Sequence, residues 1–231
     1  MIITEKFVFL HVHKSGGSFV NECLMRHLPS ARHIGYHLPR AFIPTGFGHL
    51  PILGTVRSPW SYYVSWYFFQ RGLPHPNWLF RTLSDDGRLD FEATIRNMLM
   101  LSENEDLLST VASGLPTAYL NRGLNLPGFA LLEINKTGLG FYSFLERHVH
   151  GPDDGRIFLG RLEHLREDLL QMLDAVGQSV GQDMARFIAS EPKKNTSTHS
   201  SYVDYYSVEL QNLVAQKDAE LIARMGYRFG D

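Results

Sequence analysis

The chain has 231 residues, 44% of them hydrophobic and 20% charged, which is enough for a core of ordinary size in a single domain spanning 1–231. Its formal net charge of −2 argues against a general nucleic-acid binder, which is basic overall, so any anion site has to be local. The single cysteine, Cys23, excludes an intrachain disulfide, no metal-ligand spacing is present, and no apolar run reaches the roughly 20 residues of a membrane span.

The first informative stretch begins with Phe7-Val8-Phe9-Leu10, a short β-prone apolar run of the kind that makes a buried parallel strand. It is followed by His11-Val12-His13-Lys14-Ser15-Gly16-Gly17-Ser18-Phe19, and then by apolar residues at helical spacing as far as Arg26. The pattern predicts strand, glycine turn and helix. Two adjacent glycines permit backbone angles that let successive N–H groups point into one concavity, and the helix adds its unpaired amides and the positive end of its dipole. With Lys14, Ser15 and Ser18 at the rim this is a candidate cradle for a phosphate or sulfate ester; the plainer alternative is a strand-to-helix turn with a surface lysine. The nucleotide-triphosphate loop G-x-x-x-x-G-K-[ST] is not present, because Lys14 precedes its glycines instead of following them.

Residues 29–51 are rich in His, Pro and Gly and lack helical periodicity, so they read as a long loop with a short strand near 32–35. The histidines here or close by, His27, His33, His37 and His49, fit no zinc spacing. Pro51-Ile52-Leu53-Gly54-Thr55-Val56-Arg57 predicts a second buried strand ending in a charge, and Ser58-Pro59 predicts a helix start with a hydroxyl cap and proline in the first turn. The helix runs through aromatic residues to about Gly72, with Ser58, Ser61 and Ser65 on one stripe at about 3.6 residues per turn. Arg57 stands where open α/β sheets bind ligands, beyond a strand's C-terminal end, and its planar fork suits a phosphate.

Residues 73–150 read as helical and loop insertions, with an amphipathic helix at 91–100, an acidic helix start at Asn104-Glu105-Asp106, and Asn121–Asn125 as either a substrate loop or a surface turn. Arg156–Gly160 predicts a third core strand, followed by a helix over 163–173 closed near Gly177. The polar stretch Lys193–Ser201 is a loop that either covers a ligand or is solvated, and a helix is predicted from about Ser207 to Gly226.

Lys14-Ser15-Gly16-Gly17-Ser18 resembles the 5′-phosphosulfate loop of sulfotransferases that use 3′-phosphoadenosine-5′-phosphosulfate (PAPS). Its histidine-x-x-lysine start and paired glycines look most like the carbohydrate branch, with His13 departing from the proline usual there. Val56-Arg57-Ser58-Pro59 followed by Ser65, eight residues after Arg57, resembles the family's 3′-phosphate motif. The two motifs stand in the family's order, and the resemblance covers roughly residues 6–70 well and the C-terminal third more loosely. It implies an α/β, P-loop-type three-layer fold with a central, mostly parallel sheet flanked by helices, and an acceptor side built from 73–150. Donor contacts are implied for Lys14, Ser15, Gly16, Gly17, Ser18, Phe19, Arg57 and Ser65, and for Lys193, Asn195 and Ser197 in the late basic loop. Arg161-Leu162-Glu163 with Glu167-Asp168-Leu169 resembles a late family segment of structural role. Relatives in the secretory pathway are typically membrane-anchored; without a basic start and long apolar core, this chain looks like a soluble, cytoplasmic and bacterial member.

Sulfuryl transfer resembles phosphoryl transfer, in that the protein positions the reactants and stabilises charge on a leaving phosphate. Lys14 would neutralise the bridging oxygen, the amides of 15–19 would hold the 5′-phosphate, and adenosine 3′,5′-bisphosphate (PAP) would leave as product; no divalent metal is required, since this leaving group carries less charge than a triphosphate. The acceptor, a hydroxylated small molecule or carbohydrate, needs a base with a pKa near working pH. His37 is the choice by resemblance, since several carbohydrate sulfotransferases place a histidine about twenty residues before the 3′-phosphate arginine; His33, His49 or a carboxylate are the alternatives. Two other readings of the whole chain stand beside this one: a metal-dependent small-molecule kinase of related fold, and a non-catalytic nucleotide-binding module.

Overall fold

The two apolar runs that precede Lys14 and Arg57 become adjacent strands at the middle of a five-stranded sheet. The computed structural model describes residues 1–192 and 200–231. Its strands are β1 (Ile2–Ile3), β2 (Val8–His11), β3 (Arg32–His33), β4 (Ile52–Val56) and β5 (Ile157–Arg161), in the order β3-β1-β2-β4-β5. β4 is parallel to β2 and to β5, whereas β1 is antiparallel to both of its neighbours, so every strand except β1 shares one direction. The described helices are α1 (Gly17–His27), α2 (Pro59–Arg71), α3 (Trp78–Leu83), α4 (Phe91–Leu99), α5 (Glu105–Ser113), α6 (Gly128–Leu131), α7 (Phe141–His150), α8 (Leu165–Ala175), α9 (Gln182–Ser190), α10 (Val208–Lys217) and α11 (Ala219–Met225). This is the α/β class with a central, mostly parallel sheet flanked by helices. None of the described helices is long and apolar enough to cross a membrane.

The chain divides into two compact units. The first comprises Met1–Arg57, Asn121–Asn125 and the described part of Glu146–Thr196. Side chains alternate across a strand, so Phe7, Phe9 and Leu53 point to one face of the sheet and bury Val20 and Leu24 of α1, Leu169 and Leu173 of α8, and Phe187 of α9. On the other face, the last turn of α7 sets His150 against Gly54, where a Cβ would lie 2.5 Å from Nε2. His150 Nδ1 stands 3.1 Å from Glu146 Oε1, and both side chains are buried. Between β5 and α8, Asp168 Oδ2 accepts from the Arg161 amide at 2.8 Å and from Arg161 Nε at 3.1 Å, which gives the late segment its structural role.

The second unit comprises Ser58–Leu120, Leu126–Leu145 and the described part of Ser197–Asp231. Its centre is the aromatic helix α2: Trp60, Tyr62, Tyr63, Trp66 and Tyr67 are all buried. Tyr62 stacks on Tyr142 with centroids 3.8 Å apart. Tyr63 OH donates to Asp218 Oδ2 at 2.8 Å, and the Ser143 amide donates to Asp218 Oδ1 at 2.9 Å. That network corrects the single helix expected over 207–226. Asp218 leaves helical geometry (φ −108°) to serve these donors, and the chain forms α10 and α11 on either side of it. Ser58 does stand at the N-cap of α2, but its side chain makes no capping bond; Asn77, Asp90, Asn104 and Ser207 do cap their helices.

Candidate functional site

The register pairs His11 with Thr55, so β2 and β4 release the chain at one level, and the residues after each strand end meet. After His11 the turn passes through Lys14 at φ +64° and Gly16 at φ +83° before α1 begins at Gly17. A left-handed lysine costs on the order of 1 kcal/mol or more, so the turn is held by its surroundings. One such hold is direct: Arg57 Nη1 donates to the Lys14 carbonyl at 3.2 Å.

The two glycines turn out to serve different purposes, which refines the expectation that both supply unusual backbone angles. Gly16 is the left-handed N-cap. Gly17 is helical, and its missing side chain makes room for a histidine: a Cβ there would lie 2.0 Å from His11 Nδ1. The ring of His11 is therefore pressed against the first turn of α1, stacked on Phe9 with centroids 5.5 Å apart. Asn21, one turn into the helix, lies with Nδ2 3.3 Å from His11 Nε2 and donates to it.

The turn also packs its last residue into the core. The Phe19 amide donates to the Gly16 carbonyl at 3.1 Å, and the Phe19 ring is buried in the core, 5.4 Å from that of Phe187, so Phe19 is a packing residue of the turn. Ser15 and Gly16 precede the helix, and Gly17 and Ser18 are its first two residues. The first turn of α1 carries no acidic residue, leaving the positive end of its dipole unopposed by its own side chains. Ser15 is buried and Ser18 exposed.

Electrostatically the turn is unusual. Burial, aided by the positive charge of Arg57, brings the Lys14 amine down to about 8. Two cations held this near repel each other, and an anion between them would relieve both the repulsion and the desolvation.

His37 lies in the same unit and comes to the same turn, in a left-handed conformation (φ +48°). Its Nδ1 is 3.1 Å from the His11 carbonyl, and its ring meets those of His11 and His13 edge-on with centroids 4.5 and 6.1 Å away. A carbonyl only accepts, so Nδ1 is the protonated nitrogen and Nε2 of the neutral ring carries the lone pair. Burial lowers the pKa of His37 despite its bond to His11, and burial followed by repulsion from His37 lowers those of His11 and His13 well below the ordinary value. All three rings are thus biased towards the neutral form. Among the described residues no cluster of His, Cys, Asp or Glu is arranged to hold a metal ion.

Lys14, Ser15, Gly16, Gly17, Ser18, His37 and Arg57 therefore gather at one end of the sheet in the first unit. Ser65 belongs to the second unit, buried on α2. Lys193, Asn195 and Ser197 lie outside the described residues. His33 is exposed on β3, and His49 is exposed on the loop before β4. Sequence reasoning missed the clamp on the His37 loop, in which Asn121 and Asn125 bond to the backbone of Tyr36. The positive-φ tendency of Asn121, Gly123 and Asn125 was a signal for a turn, but nothing in it named the partner.

No protein-family model matches the chain, and no curated protein matches it. Among solved structures it is similar to mouse sulfotransferase SULT7A1 complexed with PAP, with 15% sequence identity and a TM-score of 0.48 over 93% of this chain and 85% of that one.

Proposed function

We propose that the chain is a sulfotransferase, moving a sulfuryl group from PAPS to a hydroxyl acceptor, with a carbohydrate as the acceptor class its loop sequence most resembles. The observation that carries this reading is the convergence of Lys14 and Arg57: the guanidinium is bonded to the lysine's own carbonyl and its charge helps to depress the amine. Lys14 of the one motif and Arg57 of the other thus stand together, which supports a nucleotide held by both.

When bound, the donor supplies a sulfur electrophile with a bisphosphate leaving group. The amides of Ser15, Gly16, Gly17 and Ser18 and the dipole of α1 hold the 5′-phosphate. Lys14 meets the negative charge that grows on the bridging oxygen as the sulfur–oxygen bond breaks. Arg57 anchors the second phosphate; Ser65 joins it in this reading on its eight-residue spacing alone. The acceptor oxygen bonds to sulfur and its proton passes to Nε2 of His37, which is kept neutral by burial and oriented by the His11 carbonyl.

Calorimetry with adenosine 3′,5′-bisphosphate tests the reading. The wild type binds tightly, and Arg57→Ala weakens binding by about 1.5–3 kcal/mol, roughly ten- to a hundredfold, the scale of one charge-assisted contact. Lys14→Ala loses a comparable amount. Equal affinity for the analogue lacking the 3′-phosphate would contradict the assignment.

A further inference from the structure

The loop that carries His37 is gripped by a turn more than eighty residues away in sequence. The Tyr36 amide donates to Asn121 Oδ1 at 2.6 Å, and Asn125 Nδ2 donates to the Tyr36 carbonyl at 2.8 Å. The two asparagines are locked to each other, the Asn121 amide donating to Asn125 Oδ1 at 2.9 Å. Both adopt left-handed backbone angles, φ +57° and +54°, which asparagine tolerates better than most residues. Gly35 completes the fit, since a Cβ there would lie 2.4 Å from Asn121 Oδ1.

These bonds land on the main chain next to His37. Tyr36 is 50% exposed as a residue, so the grip does not serve to bury it. Its consequence falls on the next residue, whose φ of +48° is uncommon for histidine and sets the ring against the His11 carbonyl. We propose that Asn121 and Asn125 are positioning residues: by holding the Tyr36 peptide units on both sides they fix the left-handed turn at His37, and through it the Nδ1–H···O=C bond to His11 that leaves Nε2 as the proton acceptor. The functional meaning of this clamp rests on His37 being the base of the proposed transfer; the clamp itself does not.

Nitrogen-15 correlation spectra of the histidine rings in the full chain test it, comparing wild type with Asn121→Gly, Asn125→Gly and Asn121→Asp. Glycine keeps the left-handed backbone without strain while removing the side-chain contacts, and aspartate keeps an acceptor oxygen for the Tyr36 amide. In the wild type His37 shows one tautomer, protonated at Nδ1. The two glycine variants show tautomers in exchange at His37, and Asn121→Asp restores the wild-type signature. Adenosine 3′,5′-bisphosphate affinity, measured alongside, stays within about twofold of wild type in all three, because the Lys14 turn is untouched. An unchanged His37 signature in a folded glycine variant would overturn the proposal; should Asn125→Gly not fold, Asn121→Gly decides alone. Failure of the wild type to bind the bisphosphate would sink the sulfotransferase reading and leave the tautomer result standing as the measure of the clamp.

Discussion

Each unit takes a charged group out of water, Asp218 fully in the second and Lys14 in part in the first, and the surroundings of the two differ in kind. In the second unit the Asp218 carboxylate is surrounded by donors, the Tyr63 hydroxyl and the Ser143 amide, and Gly140 leaves room for it, since a Cβ there would lie 2.8 Å from Oδ1. Burial raises the carboxyl's pKa and those bonds oppose the rise, so the charge is answered inside the fold. In the first unit the fold brings Arg57 up to the Lys14 turn, where two like charges meet beside an uncapped helix start. The first arrangement braces helices. The second sets a depressed amine beside a guanidinium, and strongly perturbed titratable groups gather at functional ground more often than elsewhere.

The largest effect should come from the brace. Asp218→Ala leaves the Tyr63 hydroxyl and Ser143 amide buried without their acceptor and opens a void, a loss of about 3 kcal/mol or more in denaturant unfolding. A change under about 1 kcal/mol would show that the network adds little and would blur the contrast with the first unit.

Next come the two glycines of the turn, whose order sharpens what the turn is for. Gly17→Ala drives a methyl into the His11 ring and should cost about 1–3 kcal/mol, the range for overpacking. Gly16→Ala pays about 1 kcal/mol for its left-handed angle, and its nearest obstacles, the methyl ends of Leu162 and Leu165, can swing aside. Thermal unfolding of the two variants ranks them. If Gly16 proves the more costly, the His11 ring is not the constraint described.

The smallest stability change runs the other way. Lys14→Met removes a desolvated cation from beside Arg57 and should stabilise the free protein at pH 7 by about 1 kcal/mol, a rise of roughly 2–4 °C in Tm. The sign follows from the shift: the amine titrates at about 8 when folded against an ordinary 10.5, so its cost is fully present below 8 and fades as pH rises to 10.5. The gain should fade over the same interval.

The sheet was largely legible because its central strands are continuous apolar runs bounded by turn residues, as at Phe7–Leu10 and Ile52–Val56. β1 was not, since two residues make no pattern and Ile2–Ile3 becomes a strand only by pairing with Val8–Phe9 and Arg32–His33. The Glu146–His150 pair escaped because its meaning depends on Gly54, remote in sequence. For the site, local motifs named Lys14 and Arg57 correctly as neighbours of strand ends. The reason for Gly17, the commitment of the Phe19 amide and the asparagine clamp on Tyr36 are tertiary facts, each requiring a partner that no local spacing specifies.

Proton-linked calorimetry decides whether the place where Arg57 meets the Lys14 turn takes an anion. An anion seated against Lys14 must raise an amine that now titrates at about 8. Binding of adenosine 3′,5′-bisphosphate near pH 8, in two buffers of different ionisation enthalpy, should therefore take up about half a proton, more as the pH rises towards 9, and none in Lys14→Met. Binding with no proton uptake in the wild type, at a pH where its amine still titrates, would place the bisphosphate elsewhere and rule out Lys14 as its partner.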